Sequence, residues 1–268
     1  MSGGRGTRGL VGIAALAMLL FLAMPVLALV VSDGPGAILR GLRNPLVLPA
    51  LALSLRTTAL TTLVTVLLGT PLAFALARGP LGPRSLVETL VQLPTVLPPA
   101  VAGLGLLLAF GRRGLVGAPL SELGIVLSFH TSAVVLAQLF VAAPYYVLAA
   151  SAALRALDPD LSTIARSLGA GPRAVAFRVL APAVAPSLLV GLAMTFARAL
   201  GEFGATLMFA GNLPGETQTM PLAIYVALES DPAAAQALAL VLAAVAFLLL
   251  GVVSHFRSRI EEASRAPR

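Results

Sequence analysis

Lysine and cysteine are both absent from the 268-residue sequence, and each absence excludes a class of site. All 18 basic residues are arginine, so the chain has no Gly-Lys-Ser/Thr phosphate-binding loop, whose lysine contacts the terminal phosphates. Without cysteine, the chain forms neither disulfide bonds nor thiolate metal sites. His130 and His255 alone make no histidine cluster. The chain is therefore not a P-loop ATPase, and we expect it to bind no cofactor or metal of its own.

Charged residues make up only 11% of the sequence, whereas hydrophobic residues make up 58%. A water-soluble protein of this length needs more polar side chains to cover its surface. Several apolar runs reach the roughly 20 residues of a membrane-spanning helix, and the first exceeds the roughly 7–15 residues of a signal-peptide core. We therefore predict an all-α, polytopic membrane protein, with a single transmembrane domain over residues 1–268. The predicted spans, about six, cover residues 10–31, 55–77, 90–110, 125–150, 184–210 and 234–253.

The arginines are unevenly distributed between the predicted loops, which indicates the orientation because cytoplasmic loops accumulate positive charge. With a cytoplasmic N-terminus, the outer side receives four arginines, Arg40, Arg43, Arg112 and Arg113. The outer segment 211–233 contains acidic residues but no arginine. Both termini are therefore predicted to be cytoplasmic.

The second predicted span carries four threonines on one helical face, Thr58, Thr61, Thr62 and Thr65. One interpretation is a polar path through the membrane, which makes Thr58 and Thr62 candidates for a translocation path or gate. The other is that each hydroxyl bonds the carbonyl one turn back or packs against another helix, as small polar residues in spans often do. We favour the second interpretation.

The third predicted span contains Pro94, Pro98 and Pro99, followed by two glycines. Proline removes a helical hydrogen-bond donor, so this sequence predicts a kinked or interrupted helix inside the membrane. Broken membrane helices usually adjoin a cavity or another protein surface.

The fifth predicted span contains Arg198 and Glu202, four residues apart and so on one helical face. An arginine at the centre of a span costs roughly 2.5–3.5 kcal/mol on insertion scales, so we expect it to face protein or water. Two hypotheses remain open for these residues. They form a buried ion pair that fixes the rotation of the helix, or they belong to a path or gate.

The loop between spans four and five, residues 157–182, has the helix start and stop signals of a soluble segment. Asp158 is placed to cap a short helix, and Gly169 to end it with a left-handed backbone. Pro172 opens a second short helix, which ends before Pro182. The result is a compact helix-turn-helix on the cytoplasmic face. A hairpin fixed between two spans is poorly placed to enter a DNA groove, so we expect it to bind a cytosolic protein and no nucleic acid.

This loop resembles the EAA loop of bacterial ABC-importer permeases, whose pattern is Glu-Ala-Ala, three residues, Gly, nine residues, then Ile-x-Leu-Pro. Every spacing is intact, and threonine replaces the glutamate of the pattern. The matching residues are Thr163, Ile164, Ala165, Gly169, Val179, Leu180, Ala181 and Pro182. The resemblance identifies the loop as the element that couples the membrane domain to an ATPase.

Further runs resemble permeases of the molybdate type, within the sulfate and molybdate group. They are LPTVLPP at 93–99, FGRRG at 110–114, GEFGAT at 201–206 and GNLPGET at 211–217. The match covers roughly residues 50–253. It implies a type I ABC-importer permease fold and a non-catalytic subunit that translocates molybdate or tungstate, with sulfate or thiosulfate as the alternative.

The resemblance also implies partners and a location. We expect a homodimer in the lipid of the bacterial plasma membrane, with two copies of an ABC ATPase that hold ATP and Mg. A periplasmic or lipoprotein binding protein delivers the oxyanion from outside. An ion-gradient carrier or channel is less favoured, because only Arg198 and Glu202 approach a buried charge relay. An intramembrane enzyme is last, because the sequence has neither His-Glu-x-x-His nor Gly-x-Ser-x-Gly.

Overall fold

The computed structural model describes residues 3–31, 44–79 and 82–265, and every regular element in these ranges is helical. Arg40 and Arg43, which entered the orientation argument, lie outside the described residues. The helices are α1 Gly3–Val31, α2 Val47–Arg78, α3 Arg84–Val96, α4 Pro99–Phe110, α5 Gly117–Glu122, α6 Thr131–Ala156, α7 Asp160–Ser167, α8 Pro172–Leu200, α9 Gly204–Ala210, α10 Met220–Ser230 and α11 Pro232–Arg265.

Five helices are long and apolar enough to cross a membrane, namely α1, α2, α6, α8 and α11. Helices α3 and α4 pass the same test only as a pair, because they are bent by 116° where they meet. Leu97 and Pro98 at the bend are each followed by a proline, which disfavours helical backbone, and both are extended. The predicted interruption is therefore present. The predicted all-α membrane fold with about six spans is confirmed.

Side-chain contacts show that α2 and α6 run parallel. Thr61 Oγ1 donates a hydrogen bond to Gln138 Oε1 at 3.1 Å, and Arg78 Nη2 donates to Leu154 O at 3.3 Å farther along both helices. The ends of α2 and α6 thus lie on one side, so the chain between them must cross once more. Among the described residues of that stretch, the bent α3–α4 pair is the segment long enough to do so, which makes it a broken span.

Helix α8 runs antiparallel to α6. Val175 and Val184 pack against Leu154 near the end of α6, whereas Thr195 Oγ1 donates to Ala142 O, nearer its start, at 3.2 Å. Helix α8 ends at Leu200 and α9 begins at Gly204, so the predicted fifth span, 184–210, consists of two helices. Helix α9 continues toward the start of α6 and packs there against α4 and α6.

Small residues allow the close contact between α4 and α9. A Cβ on Gly204 would lie 2.5 Å from Pro99 Cβ, and a Cβ on Gly103 would lie 2.6 Å from Met208 Cβ. Membrane helices commonly approach each other through such small residues, because packing rather than the hydrophobic effect holds them together. The broken third span therefore rests on the short helix that follows α8.

The first helix has few contacts with the rest of the chain. Its apolar window, Leu10–Val31, is 0% buried inside the chain. Near its end, Gln236 Nε2 of α11 donates a hydrogen bond to Leu29 O at 3.2 Å. The apolar surface of α1 is therefore available to lipid or to another polypeptide.

Candidate functional site

The loop predicted at 157–182 consists of α7 and the first turns of α8. Asp158 Oδ1 accepts a hydrogen bond from the N–H of Asp160 at 2.9 Å, which satisfies a free amide at the start of α7, as predicted. Three large apolar side chains of this hairpin's first arm are exposed: Leu161, Ile164 and Leu168. Clustered apolar side chains that a chain leaves exposed are typical of a protein-binding surface.

Gly169 ends α7 in the left-handed conformation, with a φ of +87°, as predicted. Its N–H donates to Arg166 O at 2.9 Å, and the N–H of Ala170 donates to Ala165 O at 3.0 Å. These are the two bonds of a Schellman motif. A Cβ on Gly169 would meet no atom within 4 Å. The backbone conformation, and not crowding inside the chain, therefore favours glycine at this position.

The second helix of the loop was wrongly predicted, because it does not end before Pro182 but continues as α8 to Leu200. Residues Val175–Leu180 form a π-helical stretch, and the N–H of Ala181 bonds Ala176 O, five residues back. This wider turn accommodates the ring of Pro182, which in an α-helix clashes with the carbonyl four residues earlier. The second arm of the hairpin is thus the beginning of a membrane span.

The residues of the EAA-like pattern divide into an exposed set and a packed set. The exposed residues are Thr163, Ile164, Gly169 and Pro182, and the partly buried ones are Ala165 and Val179. Ala165 and Ala170 pack against a buried cluster formed by Leu154, Val175, Leu180 and Val184. This cluster fixes α7 to the adjoining ends of α6 and α8.

Arg198 and Glu202 form an ion pair at the break between α8 and α9, with 2.8 Å between Arg198 Nη1 and Glu202 Oε2. The other carboxylate oxygen, Oε1, accepts a hydrogen bond from the N–H of Ala205 at 2.8 Å and satisfies an amide at the start of α9. The prediction that one helix carries both charges is wrong, because α8 ends before Gly201. Glu202 is buried, with a side chain 1% exposed, whereas the Arg198 side chain is 31% exposed.

Both charges also match the helix ends on which they lie. Arg198 is in the last turn of α8, where the helix dipole is negative, and Glu202 lies at the start of α9, where it is positive. The buried carboxylate is therefore satisfied within this chain. These contacts are those of a structural ion pair, and a role of the pair in a path or gate stays a prediction.

Thr58 and Thr62 lie in the contact between α2 and α6, with 0% and 7% of their surfaces exposed. Thr62 Oγ1 donates to Thr58 O at 2.7 Å, back along the helix. Gln138 Nε2 donates to Thr58 Oγ1 at 3.4 Å, across to α6. These contacts are those of the interpretation that we favoured, in which each hydroxyl bonds the carbonyl one turn back or packs against another helix. A role of Thr58 and Thr62 in a path or gate stays a prediction.

Two polar features were missed from the sequence. Arg56 lay at the edge of the predicted span, 55–77, but α2 begins at Val47, so this exposed arginine lies well inside the helix. His130 Nδ1 lies 2.5 Å from Glu216 Oε1, and Thr131 Oγ1 donates to Glu216 O at 2.8 Å, which fixes the segment before α10 to the start of α6. No sequence spacing indicates a contact between residues so far apart. Among the described residues, no three His, Asp or Glu side chains are grouped to hold a metal ion.

Comparison with known sequences gives matches over most of the chain. A model of the family described as binding-protein-dependent transport system inner membrane component matches residues 66–262. The molybdenum transport system permease protein ModB of Mycobacterium tuberculosis is 45% identical over 239 residues, covering 89% of this chain and 90% of that protein. ModB of Escherichia coli is 37% identical over 213 residues, covering 79% and 93%. The probable transport system permease protein NifC of Clostridium pasteurianum is 37% identical over 234 residues, covering 87% and 82%.

Solved structures share the fold at lower sequence identity. A chain of a bacterial alginate ABC transporter, in complex with an alginate pentasaccharide-bound periplasmic protein, matches with a TM-score of 0.76 at 18% identity, covering 95% of this chain and 94% of that chain. A chain of the MetNI methionine ABC transporter in an inward-facing conformation matches with a TM-score of 0.63 at 15% identity, covering 80% and 96%. These structures agree with the predicted permease-like architecture.

Proposed function

Because this chain belongs to the binding-protein-dependent transport system inner membrane component family, we propose that it is the membrane-spanning permease subunit of an ATP-driven importer. Its cargo is an oxyanion, molybdate or the similar tungstate. The assignment of the cargo rests on the 45% sequence identity to a molybdenum transport permease over nearly the whole of both chains. The subunit is non-catalytic, and ATP with Mg is bound and hydrolysed in a partner subunit.

The ATPase subunit docks on the loop 157–182, which we call the coupling loop. Its exposed apolar side chains on α7 support this assignment, as do the exposed arginines Arg166, Arg173 and Arg178 around them. The buried cluster around Leu154 ties the coupling loop to the ends of α6 and α8. A docked subunit that moves therefore moves these two spans with it. The motif residues Thr163, Ile164, Ala165, Gly169, Val179 and Pro182 form this contact or hold its shape.

The whole transporter contains a homodimer of this chain, two ATPase subunits and an external oxyanion-binding protein. Both termini and the coupling loop lie in the cytoplasm, because the arginine-rich loops are expected on that side. The fold shared with an alginate transporter that was crystallised with its periplasmic protein supports a partner of this type.

Molybdenum accumulation by cells that lack this protein tests the cargo. At limiting external molybdate, we expect the deletion to reduce cellular molybdenum and the wild-type gene to restore it. Sulfate uptake by the same cells is the control and should be unchanged. Loss of sulfate uptake with normal molybdenum accumulation would replace the cargo with sulfate. Uptake that follows an ion gradient and continues without ATP would indicate a carrier instead.

A further inference from the structure

We propose that Arg198 is a transit site for the oxyanion, with its guanidinium facing the water-filled translocation path, and that Glu202 is the residue that positions it. The inference rests on the proposed function and assigns a binding role to one residue of the path. It starts from the unequal exposure of the pair, since the Glu202 side chain is 1% exposed and the Arg198 side chain 31%.

The contacts between α8 and α6 give the depth of Arg198. Thr195 of α8 bonds to Ala142, and α6 begins at Thr131. Because the two helices are antiparallel, Arg198 lies almost one turn beyond Thr195, about 12 Å from the level of the start of α6 at 1.5 Å per residue. The hydrocarbon core of a bilayer is about 30 Å thick, so the guanidinium lies at the depth of the core.

At this depth, lipid is an unfavourable environment for an exposed guanidinium. The neighbouring groove between α8 and α11, about 490 Å³ in volume, is lined by apolar side chains such as Leu192, Phe196 and Leu242. Ala197 also lines this groove, and Arg198 is turned about 100° around the helix from Ala197. Arg198 is therefore directed away from the centre of the apolar groove, and at this depth its exposed donors require water or polar ligands.

The chemistry of the pair suits a site through which an anion passes. A guanidinium offers several N–H donors in one plane, which match the oxygens of a tetrahedral oxyanion. Glu202 holds one side of the guanidinium, and its own second oxygen is held by the N–H of Ala205, so the outward donors have a fixed direction. The carboxylate also reduces the net positive charge at the site. A transit site needs such moderate attraction, because the ion must leave as readily as it enters.

Neutral substitutions separate this role from that of a structural pair. Arg198→Gln should lower the rate of ATP-driven molybdate uptake about tenfold or more, because a charge-assisted hydrogen bond to the anion is lost. The double variant Arg198→Gln/Glu202→Gln leaves no unpaired buried charge, so it should assemble normally and remain defective in uptake. Arg113→Gln removes an exposed arginine after α4 and is the control, with uptake expected at the wild-type rate. Wild-type uptake by the double variant would overturn the inference.

The same experiment distinguishes the two proposals. A wild-type transporter that imports no molybdate overturns the proposed function and, with it, the transit site. A wild-type transporter that imports molybdate, together with a fully active double variant, leaves the proposed function intact and overturns only the role of Arg198.

Thiol labelling tests the water-filled environment without reference to the cargo. The chain has no cysteine, so Arg198→Cys made together with Glu202→Gln provides one thiol in this subunit and no unpaired carboxylate. In the assembled transporter, we expect a charged methanethiosulfonate reagent to modify this thiol. Leu67→Cys, at an apolar side chain of α2 that is 62% exposed, is the control and should react slowly. A thiol at position 198 that reacts as slowly as the control would overturn the inference.

Discussion

Gly169 and Gly171 lie two positions apart in the coupling loop and differ in backbone conformation. Gly169 has a φ of +87°, whereas Gly171 has a φ of −67°. At both positions an added Cβ would meet no atom within 4 Å. A side chain at Gly169 therefore costs about 1–2 kcal/mol through the left-handed backbone alone. The ordinary backbone at Gly171 accepts a side chain, and threonine suits its place at the start of α8.

We predict that Gly169→Thr reduces the amount of ATPase that co-purifies with the permease, because the Schellman turn that shapes the docking surface is strained. Gly171→Thr should retain wild-type amounts. Both variants should insert in the membrane at wild-type levels, since a Cβ at either position would meet no other atom of the chain within 4 Å. Equal ATPase retention by the two variants would show that the turn does not shape the contact.

Thr61 and Gln138 are buried and joined by a hydrogen bond of 3.1 Å between α2 and α6. Thr61→Val removes the donor and should lower the free energy of unfolding by about 1 kcal/mol, the scale of side-chain hydrogen bonds between membrane helices. The double variant Thr61→Val/Gln138→Leu should cost less than the sum of the two single changes, because neither Thr61 Oγ1 nor Gln138 Oε1 is then left without the other. Unfolding in mixed detergent micelles measures all three values. Additive costs would contradict a direct contribution of this bond.

At the scale of elements, prolines explain both a correct and a wrong prediction. The break at Leu97 and Pro98 could be predicted, because two consecutive residues that precede proline disfavour helix whatever surrounds them. Pro182 was expected to follow a helix end, yet α8 continues through it by widening into a π-helical stretch. Val175 and Leu180 in that stretch are buried against Leu154, and such tertiary packing has no signal in the local sequence. The break after Leu200 was missed because apolar residues resume beyond it as far as Ala210 and no proline marks it.

Two glycines of α4 provide a matched test of its contact with α9. A Cβ on Gly103 would lie 2.6 Å from Met208 Cβ and 3.0 Å from Ala205 Cα, whereas a Cβ on Gly105 would meet nothing within 4 Å. Gly103→Ala should therefore destabilise the protein by about 1–3 kcal/mol through overpacking. Gly105→Ala should be neutral or stabilise it by up to about 1 kcal/mol through helix propensity. Thermal unfolding in detergent measures both, and equal midpoints would contradict the close packing.

For the whole molecule, hydropathy predicts the number of spans, and the helix start and stop signals predict the exposed hairpin that begins at α7. The relative positions of the spans could not be predicted, because they depend on contacts such as Arg78 with Leu154 between residues far apart in sequence. The candidate pair Arg198 and Glu202 was recognised because charge is rare in apolar runs. Its second contact, with the amide of Ala205, required the helix break to be known.

The antiparallel arrangement of α6 and α8 has a topological consequence that single cysteines can test. Ser162→Cys in the coupling loop should react with an impermeant thiol reagent only from the cytoplasmic side. Leu213→Cys, at an exposed side chain before α10, should react only from outside. Right-side-out and inverted membrane vesicles provide the two sides. Labelling of both positions from the same side would contradict the crossing of α8 with α9.

ATP-driven molybdate import by purified components tests the central claim most directly. The permease, its ATPase and its binding protein are reconstituted in liposomes, with molybdate-loaded binding protein on one side and Mg-ATP on the side of the ATPase. We predict molybdate accumulation that requires ATP hydrolysis, the binding protein and an intact coupling loop. Sulfate supplied in the same way should not be accumulated. Molybdate entry that is unchanged without ATP, or ATP hydrolysis that never moves molybdate, would contradict the account.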